Sequence, residues 1–327
     1  MHWYRSPNSS VQADIDDATL AIHIEAFFTC VYSNESLNFV HRGTLEQGVR
    51  EKTTPRLLIL AICLVSARFV SEPTASHPDG GPRAAEWRRE LRASLIDQVG
   101  RLSSVDLACL ILLIRHELNT GNYGSSWILF AIAVRIAYGL QMNDDTNLRQ
   151  LPSTWIEQES RRRMMWSCIA LDAFFADGFR EHELCGAGTF DRLQLPCSER
   201  NFSFQVPCVT SRLPPCDEPS LDFAAPMHDP VQGGRDEGLT SHWIRMVIIR
   251  RGVLKWVTIV SPSRDRSAIL SCSIALSPRQ IHTHDRIDGC RSLGERVILL
   301  SVASHVGTLL LATSRRGVME PYQSICP

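Results

Sequence analysis

The stretch "EQESRRRMMWSC", Glu157 to Cys168, holds the residues of this sequence best suited to charge chemistry. Three consecutive arginines, Arg161, Arg162 and Arg163, stand between two glutamates and a Met-Met-Trp run. A guanidinium grips phosphates or carboxylates through a rigid fork of donors. The run therefore reads either as a nucleic-acid contact or as part of a packed helix. Glu157 lies four residues before Arg161 and Glu159 four before Arg163. That acid-first order suits a helix, each pair contributing about 0.2 to 0.5 kcal/mol. Each neutralising acid also reduces the counterion release that drives binding to a phosphate backbone. The whole chain agrees: 34 basic against 35 acidic residues give a net charge of −1, whereas nucleic-acid-binding domains usually carry a basic surplus. All but two of the basic residues are arginine, a skew without a physical account. The packed reading has the arginines bonding to loop carbonyls and acids around a helix start.

Other chemistry-bearing residues are sparse. The sequence contains no G-x-S-x-G elbow, no P-loop and no H-E-x-x-H. "GAGTFD", from Gly186 to Asp191, lacks the third glycine and the preceding apolar strand of a dinucleotide site, and reads as a turn. Asp172, Asp177, Glu181 and Glu183 cluster, but helix termination and solvation explain them more simply than general acid–base work. Asp172 stands apart, since it falls inside an apolar helix and a buried carboxylate needs a partner, here an arginine. No catalytic constellation results, and the chain is read as a non-enzyme.

Eleven cysteines occur without one C-x-x-C. Cys63, Cys109 and Cys168 lie in apolar runs, where free cysteine behaves as a small buried hydrophobe. Cys197, Cys208 and Cys216 are 11 and 8 residues apart in a proline-rich segment, and His282 and His284 with Asp285 are isolated. Neither set has metal-ligand spacing. The opening "MHWYRSPNSS" lacks a signal peptide's apolar stretch, so the thiols are read as reduced and the sequons at Asn8, Asn34 and Asn201 carry no weight.

These residues need elements to hold them, and 327 residues at 44% hydrophobic content can bury a substantial core. From Ile15, apolar residues at Leu20, Ile24, Phe27, Phe28 and Val31 mark one helical face. After Pro55, "RLLILAICLVSARFV" is apolar all round and predicts a buried helix. A Pro/Gly-rich loop from Ser71 to Arg83 separates it from "AAEWRRELRASLIDQVG", and a further helix opens at Ser103 or Ser104. "NTGNYG" turns the chain into "SSWILFAIAVRIAYGL", expected to begin at its serines, to bury Trp127, and to stop near Gly139 in a left-handed conformation. Thr154 and Glu157 form a capping box that starts the arginine helix. Within it, Met164, Cys168, Leu171 and Phe175 share one face while Trp166, Ala170 and Ala173 share another. That helix is buried on more than one side.

The pattern predicts an all-α, multi-helix bundle-like domain. Residues 1–14 form an N-terminal tail, 15–205 the domain, 206–238 a Pro/Gly-rich linker, 239–260 a further helix of the domain, and 261–327 a partly disordered tail. β-Branched residues in "LTSHWIRMVIIRRGVLKWV" leave helix against strand open at that point. Leu57–Ala67 is too short to span a membrane. Val297–Thr313 sits at the lower edge of spanning length and carries His305, so it reads as a buried helix and no membrane attachment is expected.

The ordered set "SWILFAIAVRIAYGLQMND", "ESRRRMMWSCIALDAFFADG" and "FDRLQLPCSERNF" resembles the middle homology region of fungal binuclear-zinc-cluster transcription factors. The matching positions are Trp127, Ala131, Arg135, Ala137, Gly139, Leu140, Glu159, Arg161, Arg162, Arg163, Trp166, Asp172, Leu195 and Pro196. The upstream segments "EAFFTCVYSNESLNFVHRGTL" and "LLILAICLVSARF" are similar to the family's opening helices, so the resemblance runs from about Ile15 to Phe204. Gln141 and Met142 depart from the histidine and arginine common in the family, and Met165 replaces an aromatic.

The resemblance implies a regulatory domain that works in the nucleus and modulates transcription through a small-molecule effector, the transcription machinery or another transcription factor. It assigns DNA and zinc binding to a six-cysteine cluster, of which these 327 residues contain no trace. The chain is therefore expected to hold no cofactor and to meet DNA only indirectly. The motif residues receive an architectural role, with Trp166 as a core anchor. A helical small-molecule-binding protein or enzyme with a pocket among the helices is the alternative.

Overall fold

A computed structural model describes residues 15–70, 80–146, 153–213 and 236–260. Among them no strand forms, and only two isolated β-bridges occur, Gln194 with Arg212 and Cys197 with Glu237. The protein is all-α, as its periodicity predicts.

Helix α1, Asp17–Ala26, starts where the Asp16 carboxylate accepts from the Thr19 amide, and continues into a π-helical turn, Phe27–Val31, that buries Phe27 and Val31. The His41 imidazole caps α2, Arg42–Arg50, an uncommon N-cap in which Nδ1 accepts from the Thr44 amide at 3.1 Å. Helix α3, Arg56–Val70, is the hydrophobic centre, with Leu58 and every residue from Leu60 to Ala67 buried. It packs against α1, α4 (Gly81–Asp97) and α5 (Ser104–Asn119). Before α4, Gly80 adopts φ 82° and lies so close to α3 that a Cβ would sit 2.6 Å from the Cβ of Ala67. Ser103 caps α5, which is buried along almost its whole length and packs against α6, Tyr123–Gly139. Helix α7, Trp155–Ala176, rests on α5 and α6, and α9, Leu239–Val260, packs on α7. Between them lies the short α8, Glu199–Ser203.

Helix α6 corrects three expectations. It begins at Tyr123 rather than at its serines, with no side-chain cap at Asn122. Trp127 is 40% exposed, because Leu129, Phe130, Ala133, Val134, Ile136 and Ala137 take the inward face. Gly139 is not the left-handed stop, a role that falls to Gln141 with φ 54°. The Gln141 amide donates to Tyr138 O and the Met142 amide to Ala137 O, the double closure that ends many helices, and Met142 tucks fully inward behind it. A Cβ on Gly139 would lie 2.9 Å from Cδ1 of Leu102, an exposed side chain that can move aside.

The question left open at 239–260 resolves as helix. The ends of the Pro/Gly-rich stretch are tied down: the Ser211 amide donates to Glu237 Oε1 at 3.1 Å, and Glu237 pairs with Arg245 of α9 at 2.8 Å. No helix among the described residues is long and apolar enough to cross a membrane, and Leu57–Ala67 lies inside the buried α3. Val297–Thr313, Cys216 and the His282, His284 and Asp285 group lie outside the described residues.

Candidate functional site

The motif residues converge on α7. Its capping box forms, the Thr154 amide donating to Glu157 Oε2 at 2.8 Å and the Glu157 amide to Thr154 Oγ1 at 3.3 Å. One turn later Glu159 is fully buried between two guanidiniums. Arg162 donates to it and, at 3.1 Å, to Asp145 Oδ1. Arg163 reaches it through Nε at 3.1 Å, and extends its other nitrogens to Asn38 O at 2.8 Å, Glu199 Oε1 at 2.5 Å and Cys197 O at 3.0 Å. The Arg163 guanidinium also lies over the Phe202 ring at 4.0 Å. A bidentate, planar cation suits this position as an ammonium would not.

The same carboxylate accepts from the Cys197 amide at 2.9 Å, while Asp145 accepts from the Gln194 amide at 2.6 Å. Trp166, 2% exposed, donates its indole N–H to Gln194 O at 2.7 Å. Three side chains of one α7 face therefore hold the segment from Gln194 to Cys197, whose Leu195 and Pro196 are buried. Burial pushes the Glu159 carboxyl up, but Arg162, Arg163 and the Cys197 amide more than reverse this and hold it below its ordinary value. The Arg163 guanidinium is raised despite burial by Glu199 and Glu159.

Arg161 differs from its neighbours. It is partly exposed, its buried Nε has no hydrogen-bond partner, and desolvation lowers its pKa against the pull of Glu157.

At the far end of α7 the charges are reversed. Asp172, fully buried, accepts from the Leu184 and Cys185 amides at 2.8 and 3.1 Å and pairs with Arg251 of α9 at 3.3 Å. Arg251 also pairs with Glu183 at 3.0 Å, and Lys255 joins that carboxylate at 2.6 Å. Asp177 ends α7 in a left-handed conformation, φ 45°, and meets Arg250 at 3.5 Å. Beside it a Cβ on Gly178 would come within 2.8 Å of the Leu254 backbone, so glycine lets α9 approach. Asp172, Asp177 and Glu183 are thus each engaged by a base of α9, and Glu181 is exposed.

The remaining motif residues lie elsewhere. Trp127 packs edge-on against Phe175 at 5.7 Å and His182 at 5.4 Å on the partly exposed side of α6, and Arg135 is exposed. The predicted turn at 186–191 contains a 3-10 turn, Ala187–Thr189. Among the described residues no group of His, Cys, Asp and Glu could hold a metal ion.

Sequence reasoning missed Asp145, Glu199, Asn38 and Arg251 as partners. Glu199 carried a signal, since Ser198 caps the helix in which Glu199 is the first residue, directly after the Leu-Pro pair. Nothing local marks Asp145 or Asn38.

A helical domain whose central helix buries two arginines against a Leu-Pro segment defines the class. Its family is the fungal specific transcription factor domain, whose model matches residues 24–224, and the chain belongs to that family. It is 31% identical over 199 residues to the Zn(2)-C6 fungal-type transcription factor FTF1c of Fusarium oxysporum f. sp. lycopersici, covering 58% of this chain and 21% of that protein. Two uncharacterized transcriptional regulatory proteins of Schizosaccharomyces pombe are also similar. One is 28% identical over 268 residues, 79% of this chain and 27% of that protein. The other is 23% identical over 244 residues, 71% and 35% respectively. The chain thus spans about a fifth to a third of the length of these relatives. No solved structure matches.

Proposed function

We propose that this chain is the regulatory domain of a nuclear transcription regulator, modulating transcription through an effector or a protein partner rather than by catalysis or by reading DNA itself. The observation that carries this is the family match over residues 24–224, which takes in both arginines of the network and the segment they hold. Arg162 and Arg163 are buried in ion pairs with Glu159, Asp145 and Glu199, leaving neither guanidinium for a phosphate backbone. Zinc and sequence-specific DNA binding belong to the family's cysteine cluster, which is not among these residues.

The test fuses the full chain to an unrelated DNA-binding domain and reads a reporter under that domain's site. A change in reporter output relative to the DNA-binding domain alone is expected. Equal output, or tight and salt-tolerant sequence-specific DNA binding by the unfused chain in a gel shift, would overturn the proposal.

A further inference from the structure

Helix α9 is amphipathic in the reverse sense. A surface helix ordinarily turns its apolar stripe to the core and its charges to water. Leu239–Val260 contains four cations, Arg245, Arg250, Arg251 and Lys255, and no acid. All four turn to the body. Arg245 pairs with Glu237 at 2.8 Å, Arg250 with Asp177 at 3.5 Å, Arg251 with Asp172 and Glu183, and Lys255 with Glu183 at 2.6 Å. The hydroxyls of the first turn point the same way: Ser241 donates to Pro196 O at 2.6 Å, and Thr240 accepts from the Asn38 side-chain amide at 2.6 Å. Among the described apolar residues of α9, only Ile244 is buried. Leu239, His242, Met246, Ile249, Val253 and Trp256 follow one another at alternating spacings of three and four residues. That spacing keeps them on one side of the helix over about 26 Å, the side away from Ser241, Ile244 and Arg251. Leu239 is 62% exposed, Ile249 43% and Trp256 41%, while Met246 and Val253 are half-buried.

We infer that this outer stripe is where two copies of the chain meet, each covering the exposed face of the other's α9. Three features select a second copy. The alternating spacing is that of a helix–helix seam, so the occupant is another helix with the same spacing. The stripe holds no acid, lysine or arginine, and the cations of α9 are already committed to the body, so an acidic peptide or a phosphate backbone finds no counter-charge there. A two-fold axis brings to each stripe a face of equal length and like chemistry, with no like charges opposed. One helix pair is small for a specific interface, so association is expected at micromolar rather than nanomolar concentration. The pairing does not depend on what the domain regulates, and its test is independent of the reporter.

Sedimentation equilibrium of the full chain, over about 1 to 100 μM where a small interface dissociates, is expected to show the mass rising from that of one chain to twice it. Ile249→Glu sets a carboxylate into the seam and should hold the mass at one chain, with the parent's helicity by circular dichroism. Ile249→Lys should do the same. An equimolar mixture of the two variants should associate again, because opposite charges then meet across the seam, and only a second copy gives that rescue. Should either variant lose helicity, Trp256→Glu and Trp256→Lys repeat the test at the other end of the stripe. A parent chain that stays single throughout would sink the inference. In that case a lower melting temperature for Ile249→Glu would mean that the same chain covers the stripe, and an unchanged one would point to a different protein. An Ile249→Glu variant that still doubles in mass, or a mixture of variants that stays single, would defeat it as well.

Discussion

The two ends of α7 each bury a carboxylate, and the two behave in opposite ways. Glu159 has both guanidiniums on its own helix, at spacings of three and four residues, and its carboxyl is held below the ordinary value. Asp172 depends on Arg251 of α9, which it shares with Glu183 and the Cys185 carbonyl, and burial leaves its carboxyl raised in spite of two amide donors. The lesson is one of supply. A cation on the same helix turn is delivered when the helix forms, whereas one from a distant helix arrives only with tertiary packing and is divided among several acceptors.

The signs of linkage follow. Glu159, with a lowered folded pKa, contributes stability above the unfolded carboxyl value of about 4.3, and loses it as pH falls. Asp172, with a raised one, contributes only below about 3.9 and loses that as pH rises through its folded value. At neutral pH the start of α7 stabilises the fold through ionisation while its end carries a cost.

Replacing Glu159 is the strongest way to break this comparison. Glu159→Gln leaves two buried guanidiniums short of a counter-charge, and the expected loss is at the top of the range of about 3 to 5 kcal/mol for breaking a buried pair, read by urea denaturation. A loss under about 1 kcal/mol would mean that Asp145 and Glu199 suffice alone. Trp166→Ala removes a fully packed indole and its bond to Gln194 O, with an expected cost of about 4 kcal/mol; an unchanged melting temperature would refute the anchor role.

At the other end, Arg251→Ala should cost about 3 kcal/mol, less than Glu159→Gln because the Leu184 and Cys185 amides remain with Asp172. Equal losses at the two ends would erase the distinction between them. Histidine adds a milder dependence in a different window. Burial lowers the pKa of both His23 and His41, so each contributes stability above the unfolded value of about 6.5 and loses it as pH falls. His41→Asn, which keeps an N-cap for α2, should flatten the decline in melting temperature between neutral and mildly acidic pH. Smallest of all, Arg42→Ala breaks pairs with Glu25 and Glu46 on the exposed surface and should cost less than about 1 kcal/mol, fading further in high salt.

Much of the candidate site was legible because it is local. The capping box needed only Thr154 and Glu157 in sequence, and the Glu159–Arg163 pair needed only helical spacing. The cap at Ser103 and the all-round burial of α3 were legible for the same reason. Asp172 announced its need for a cation through its apolar neighbours, though not which cation.

The sequence by itself determined the capped starts of α5 and α7, the all-round burial of α3, and that Arg163 has an acid one turn before it on its own helix. Those properties depend on residues within a turn or two of each other. Only the tertiary structure decided that Asp145, Glu199, Asn38 and Arg251 complete the two clusters. It also decided that α6 turns Trp127 partly outward and that Gln141 rather than Gly139 takes the left-handed stop. Most of these depend on chain segments far apart in sequence. The helical period fixes a residue's face, but only packing fixes what that face meets.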